Sequence, residues 1–371
     1  MRRWSRWLLP ILLTVLVAAP PMATRVEAQW QIATQDGKST MKLGFLAQPQ
    51  GEWIETADGE HTSQNLFLRR IRLIAGGNIG EQWSFFIETD SPNLGKSTGD
   101  TDPKKSKDQG NIYLQDVILT WSSGDALKVD AGMLLIPVSH NTQQSAASLL
   151  PVDYGPYSFS HSDPTTSRVG RDYGIQVRGY PFGKHMEYRA GVFQGYRGQD
   201  AAKPMRTVAR AVWYPFEADT GFFYTGTTMG AKKILSVGAS LDHQGGYQAV
   251  GADVFYDQPI AGGDGLTLQG DFIRYDGGDF FPGSPAPLPR QDALLLEGSY
   301  YFHSVRLGPF VQWAMRDLRD STLADEEKRQ VGLAYWRDGH RMNLKLAWAR
   351  LTKDGLPDRD QIVLQAQIFM Y

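Results

Sequence analysis

Charged residues recur along this chain at intervals of two. Arg70 and Arg72 are one residue apart, as are Glu88 and Asp90, Lys128 and Asp130, and Glu187 and Arg189. Such spacing puts side chains on one face of an extended strand. The cations Arg70, Arg72, Lys128, Arg178, Arg189, Arg206, Arg210, Arg306 and Arg316 stand on polar faces with the acids Glu88, Asp90, Asp116, Asp130, Asp253 and Asp271. Two kinds of chemistry are open to them. They can pair with acids on facing strands across an enclosed space and stiffen the fold, or they can line a wet passage and bias which ions enter.

Other chemistry is weaker. Gly95-Lys96-Ser97-Thr98-Gly99 spells a nucleophile elbow, but that motif needs a strand-to-helix turn, and here it sits in a polar stretch with Asp100 and Asp102. Its Gly-Lys-Ser is half a phosphate loop, with Asp90 where the first Gly belongs. His140, His161 and Asp163 could ligate a metal, but their spacing matches no metal-binding pattern. The sequence therefore predicts no catalytic residue, metal or cofactor.

The elements behind the charged rows are strands. Sixteen windows alternate apolar and polar residues, from Thr40–Gly51 to Asp360–Tyr371. In QNLFLRRIRLIAGG, Phe67, Ile71, Leu73 and Ala75 oppose Arg70 and Arg72, while Arg69 breaks the apolar side. Trp83, Phe85 and Ile87 oppose Glu88 and Asp90, and Val305, Leu307, Val311 and Trp313 oppose Arg306, Gln312 and Arg316. Tight connections such as Ile79–Gln82 and Ser122–Ala126 alternate with long ones such as Ser91–Gly110 and Arg316–Lys328. One connection, Pro215–Lys233, is long where a short turn is due. At the end, Tyr371 stands one place out of the apolar register of Ile362, Leu364, Ala366, Ile368 and Met370. Either a bulge or a shifted terminal signal accounts for it.

Composition narrows the fold. Arg2, Arg3 and Arg6 precede an apolar run from Leu8 to Ala19, and Val26 and Ala28 precede Gln29. That pattern predicts an export leader over 1–28, whose apolar run is too short to span a bilayer, and a mature domain over 29–371. The mature part holds 34 basic and 39 acidic residues, a net charge of −5, which argues against a nucleic-acid binder. There is no cysteine, so neither a disulfide nor a thiolate metal site is available. Mean hydropathy is −0.36, glycine numbers 39, and aromatics reach 12%. Strands apolar on one face look soluble on average, so the composition suits a membrane barrel.

The expected fold is all-β: a 16-stranded antiparallel transmembrane β-barrel with its third extracellular loop folded inward. That loop is Val138–Asp172, the longest interruption of the alternation. Ser139, His140, Asp153, His161, Asp163, Arg168 and Arg171 are its candidate constriction residues, and it contains no lysine.

The chain resembles the phosphate-selective porins of the O and P type. NLFLRRIRLIAGGNIGEQWSFFIETD and DAGMLLIPVSHNTQQSAASLLPVD carry the likeness, and GFFYTGTTMGAKKILSVGASLDHQGGYQAVGADVFYDQP is its most specific part. The resemblance implies a passive pore for small hydrophilic solutes, favouring anions, in the outer membrane of a Gram-negative bacterium. It implies a homotrimer. The barrel meets lipid, and acidic runs such as Asp325–Glu327 and Asp354–Asp360 are solvated surface that can hold divalent ions beside lipopolysaccharide. The resemblance also accounts for the long Pro215–Lys233 turn. Clustered lysines, which serve anion binding in those porins, are missing from the long loop here. A barrel hydrolase, or a barrel that sheathes a partner protein, is the alternative.

Overall fold

A computed structural model describes residues 30–162, 164–165, 168–278, 288–320 and 322–371. The leader at 1–28 and Asp163 lie outside the described residues. Seventeen strands form one sheet: β1 (Trp30–Ala33), β2 (Thr40–Glu55), β3 (Thr62–Ile79), β4 (Trp83–Asp90), β5 (Tyr113–Gly124), β6 (Leu127–Leu135), β7 (Arg171–Gly179), β8 (Met186–Phe193), β9 (Arg206–Trp213), β10 (Ile234–Gln244), β11 (Tyr247–Pro259), β12 (Gly265–Asp276), β13 (Gln291–Tyr301), β14 (Leu307–Leu318), β15 (Glu326–His340), β16 (Met342–Lys353) and β17 (Arg359–Met370).

From β2 onward each strand pairs antiparallel with the next, and β17 returns to β2 from Gln361↔Ile54 to Met370↔Phe45. The sheet thus closes as a barrel of sixteen strands. The extra strand, β1, adds to β2 from Trp30↔Leu43 to Ala33↔Thr40, directly beyond the end of β17.

The barrel is inside out relative to a soluble sandwich. Leu73 is 65% exposed and Ile175 59%, while the alternating Arg72, Gln176 and Arg178 are buried. Outward apolar residues meet lipid, and closure leaves no backbone edge unpaired in it. All sixteen expected strands are present. A short helix, α1 (His140–Gln143), follows β6, with Ser139 as its N-cap.

Several details depart from simple alternation. At Gln48↔Arg70 the β2–β3 pairing shifts to Pro49↔Leu68, which leaves Arg69 as a bulge. Pro49 has no N–H to give the ladder, and a bulge is where a strand tolerates that. The bulge flips the outer part of β3, so Phe67 is buried and Leu66 exposed. The alternation had placed Phe67 with the lipid-facing set. A second bulge leaves Gln115 unpaired between Glu88↔Asp116 and Thr89↔Leu114, and both Gln115 and Asp116 are buried.

Arg306 is not on the wall. It lies in the turn between β13 and β14 at φ +57°, exposed, and donates to the Arg337 carbonyl. Glu326–Lys328, expected in a loop, opens β15, where Glu326 pairs with Arg316 and Lys353. Arg171, expected in the long loop, opens β7. The terminal register resolves without a bulge in β17. Tyr371 meets Phe86 edge-on at 5.7 Å and covers Gly44 and Gly76, where any side chain would collide with it.

Candidate functional site

The segment between β6 and β7 is held by inward-facing side chains from strands all round the barrel. The Asp271 carboxylate of β12 accepts the Asn141 N–H at 2.9 Å. Ser240 of β10 donates to the Val138 carbonyl. Lys345 Nζ of β16 donates to the Leu149 and Pro151 carbonyls at 2.6 and 2.8 Å. Gln48 of β2 and Gln367 of β17 donate to the successive carbonyls of Ala146 and Ala147, at 3.3 and 2.8 Å.

The long connection between β9 and β10 comes to meet this segment from the opposite rim. Tyr224 N donates to Gln143 O at 2.8 Å and Ser145 N to Tyr224 O at 3.0 Å, with Gln144 and Tyr224 forming a parallel bridge. His140 is stacked between Phe255 at 4.2 Å and Tyr224 at 4.9 Å, with Nε2 3.0 Å from the Thr225 carbonyl and Nδ1 unpartnered. Burial lowers its pKa from 6.5 to about 4, with Asp253 opposing and Arg210 assisting. His161 sits apart, 3.4 Å from Tyr275 Oη, and burial lowers it to about 3.

The wall arginines are paired. Arg72 binds Glu88 and Asp90, both at 2.9 Å. Arg178 binds Asp130 at 2.7 Å, Arg189 binds Glu187 at 2.5 Å, and Arg210 binds Asp253 at 2.6 Å. Arg206 joins Asp242 and Asp172 at 2.5 and 3.4 Å, and Arg171 joins Asp116 at 3.2 Å. Arg189 and Glu187 share β8, and the other pairs join neighbouring or next-but-one strands, so they run along the wall rather than across the lumen. Lys128 lies near the short-turn rim, 5.9 Å from the Tyr180 ring. Arg316 pairs with Glu326 at the long-loop rim.

One region keeps a surplus of positive charge. A cavity of about 460 Å³ is lined by Arg69, Arg70, Arg72, Arg168 and Lys328, with Asp90 and Asp153 as its acids and Tyr113, Tyr154, Phe159, Pro92 and Pro156 as its apolar wall. The bulge aims Arg69 inward beside Arg70. Both reach Asp153, Nε at 2.7 Å and Nη2 at 2.6 Å. Burial alone would raise the Asp153 carboxyl, but the two guanidiniums outweigh it and hold it well below the usual carboxylate range. Lys328 is 8% exposed, and among the described residues no carboxylate or hydrogen-bond acceptor pairs with it. Arg168 lies 3.6 Å over the Tyr113 ring and pairs with no carboxylate among the described residues. A second mouth of about 510 Å³, beyond Pro156 and Tyr157, has Arg316, Lys353 and Arg359 against Glu326 and Glu327. There Glu326 pairs with both Arg316 and Lys353.

Of the residues expected from sequence, Arg70, Arg72, Asp90, Asp153 and Arg168 share the cationic basin. Ser139 caps α1. His140 and His161 face different partners. Arg69 and Lys328 were missed. The break that Arg69 makes in the apolar face was the signal for it. Nothing in the sequence moved Lys328 from a loop into a strand.

A closed sixteen-stranded barrel, apolar outside and charged within, defines the class of outer-membrane passive channels. Residues 54–241, just over half of the chain, match the family phosphate-selective porin O and P, and the chain belongs to that family. It is therefore a bacterial outer-membrane porin. Solved barrels share the fold at low identity. A Salmonella typhi OmpF in complex with daunomycin aligns with a TM-score of 0.63 at 11% identity, over 91% of this chain and 100% of that one. An anion-selective porin from Comamonas acidovorans gives 0.59 at 12%, over 90% and 100%. An in-vitro folded OmpT from Vibrio cholerae, in its trimer form, gives 0.54 at 10%, over 90% and 99%. A comparison with curated proteins finds no match.

Proposed function

We propose that the channel favours anions, and that the preference is set in the cationic basin rather than along the arginine rows. The observation that carries this reading is the lining itself: five cations against two carboxylates. The rows elsewhere pair with acids and contribute little net field. In a low-dielectric wall a fixed surplus charge raises the local concentration of counter-ions. Solutes enter from the long-loop side, collect in the basin, and pass the strait bounded by the loop at 136–170 against wall charges. The Comamonas relative is an anion-selective porin, which agrees with this direction.

Export proceeds through the leader at 1–28, with cleavage before Gln29. The mature barrel assembles as a homotrimer, as the Vibrio OmpT does in its trimer form, in contact with lipid and lipopolysaccharide. Conductance of the purified protein in a planar bilayer tests the reading. The reversal potential under a salt gradient should take the sign of anion preference. Arg168→Gln with Lys328→Gln should move it towards zero. A cation-selective wild type would reject the proposal.

A further inference from the structure

The basin has more to it than positive charge. Arg69 and Arg70 share Asp153, and Arg72 is held by Glu88 and Asp90. Those three cations thus meet three carboxylates. Lys328 and Arg168 remain, and neither has an acid partner among the described residues. Two unsatisfied cations suit one small anionic group. They are too few to surround an inorganic phosphate, whose oxygens need donors on every side once water is shed.

What faces the rest of the cavity is apolar. Phe159 meets Tyr154 edge-on at 5.2 Å, and Pro92, Pro156 and Tyr113 continue the wall. Tyr154 spends its hydroxyl on the Gln144 carbonyl at 2.8 Å. A concave site with an apolar lining and a few convergent charges is built for an organic ligand. Rings of this kind take up flat apolar bodies by stacking and edge contacts.

We propose that the basin selects organic anions that join one carboxylate to a flat apolar ring, ahead of inorganic phosphate. The carboxylate sits between Lys328 and Arg168, and the ring lies against Phe159 and the two prolines. The second mouth lacks this combination, because its acid Glu326 is shared by two cations. This inference rests on the anion-channel reading and names its solute class.

The test uses the mature full-length protein in a planar bilayer carrying chloride current at pH 7. Benzoate, acetate and inorganic phosphate are titrated on the long-loop side, and the half-blocking concentration is read against each variant's own current. Benzoate should block at a concentration about tenfold below acetate, which has the same charge and no ring, and below phosphate. Arg168→Gln, at an exposed position, should raise the benzoate value about tenfold, and Lys328→Gln should do the same. Phe159→Leu should weaken benzoate and leave acetate in place. Lys353→Gln, in the other mouth, should leave the benzoate value as it was. A conducting protein that phosphate blocks at the lower concentration overturns this inference alone. So does a benzoate block that neither Arg168→Gln nor Lys328→Gln moves. A protein that inserts and carries no current overturns the channel reading together with it.

Discussion

Asp153 is the residue on which the basin turns. It holds two adjacent arginines that only a bulge could bring to one side. Asp153→Asn should add one positive charge to the basin and shift the reversal potential further towards anions. It should also weaken the loop's tether, since each charge-assisted bond lost is worth about 1.5–3 kcal/mol. Bilayer recordings read the first effect and current noise the second. His140 gives the loop a different sensitivity. It is neutral while buried and regains its ordinary affinity for protons when the loop opens, so the open form binds more protons between pH 6.5 and 4. The closed loop therefore loses stability as pH falls through that window, by up to about 3 kcal/mol in total. Asp153 adds a loss only at the acid end of that window, because its carboxyl is held low and its contribution starts to go as pH enters the usual carboxylate range. Current noise should rise from pH 7 to 4, and His140→Gln should flatten the rise.

The elements were largely legible in the sequence, because a barrel strand must alternate to separate lipid from water. The sixteen wall strands all show alternating windows, broken in β3 and β5 by bulges. What escaped were the places where backbone geometry, not hydropathy, decides the side. Phe67 looks lipid-facing until the Pro49 bulge turns it inward. Arg306 has the parity of the wall but falls beyond the end of the strand. The pairing of each arginine with a particular acid was also hidden, since most pairs depend on the register between strands, which alternation does not give. The turn Pro215–Lys233 was visible as an anomaly of length, which the family resemblance accounts for. Its bonds to Gln143, Ser145, Ser148 and Arg189 show what it holds. Replacing residues 216–232 by a two-residue hairpin turn should raise single-channel conductance and lower thermal stability. Each neutral hydrogen bond removed is worth about 1 kcal/mol.

For the whole molecule, polarity is uneven around the interior. An apolar cluster that includes Ile136, Val138, Tyr247, Ile273 and Tyr275 seals the loop against β11 and β12. The openings lie on the other side, beside β3 to β5 and β14 to β17. Leu288→Ala, in that cluster, should cost about 2–5 kcal/mol in resistance to heat, read as the temperature at which the folded band is lost on gels.

The amides of Gln48 and Gln367 lie on the first and last wall strands, 2.8 Å from each other. They grasp neighbouring carbonyls of one loop residue pair, Ala146 and Ala147. The loop therefore spans the seam at which a newly made chain must join its two ends. In biogenesis it is a splint: it is synthesised before the last strand and offers that strand a matching surface. A chain with Ala146–Leu149 deleted should reach the folded gel band more slowly than the full-length chain, with the defect at closure of the seam.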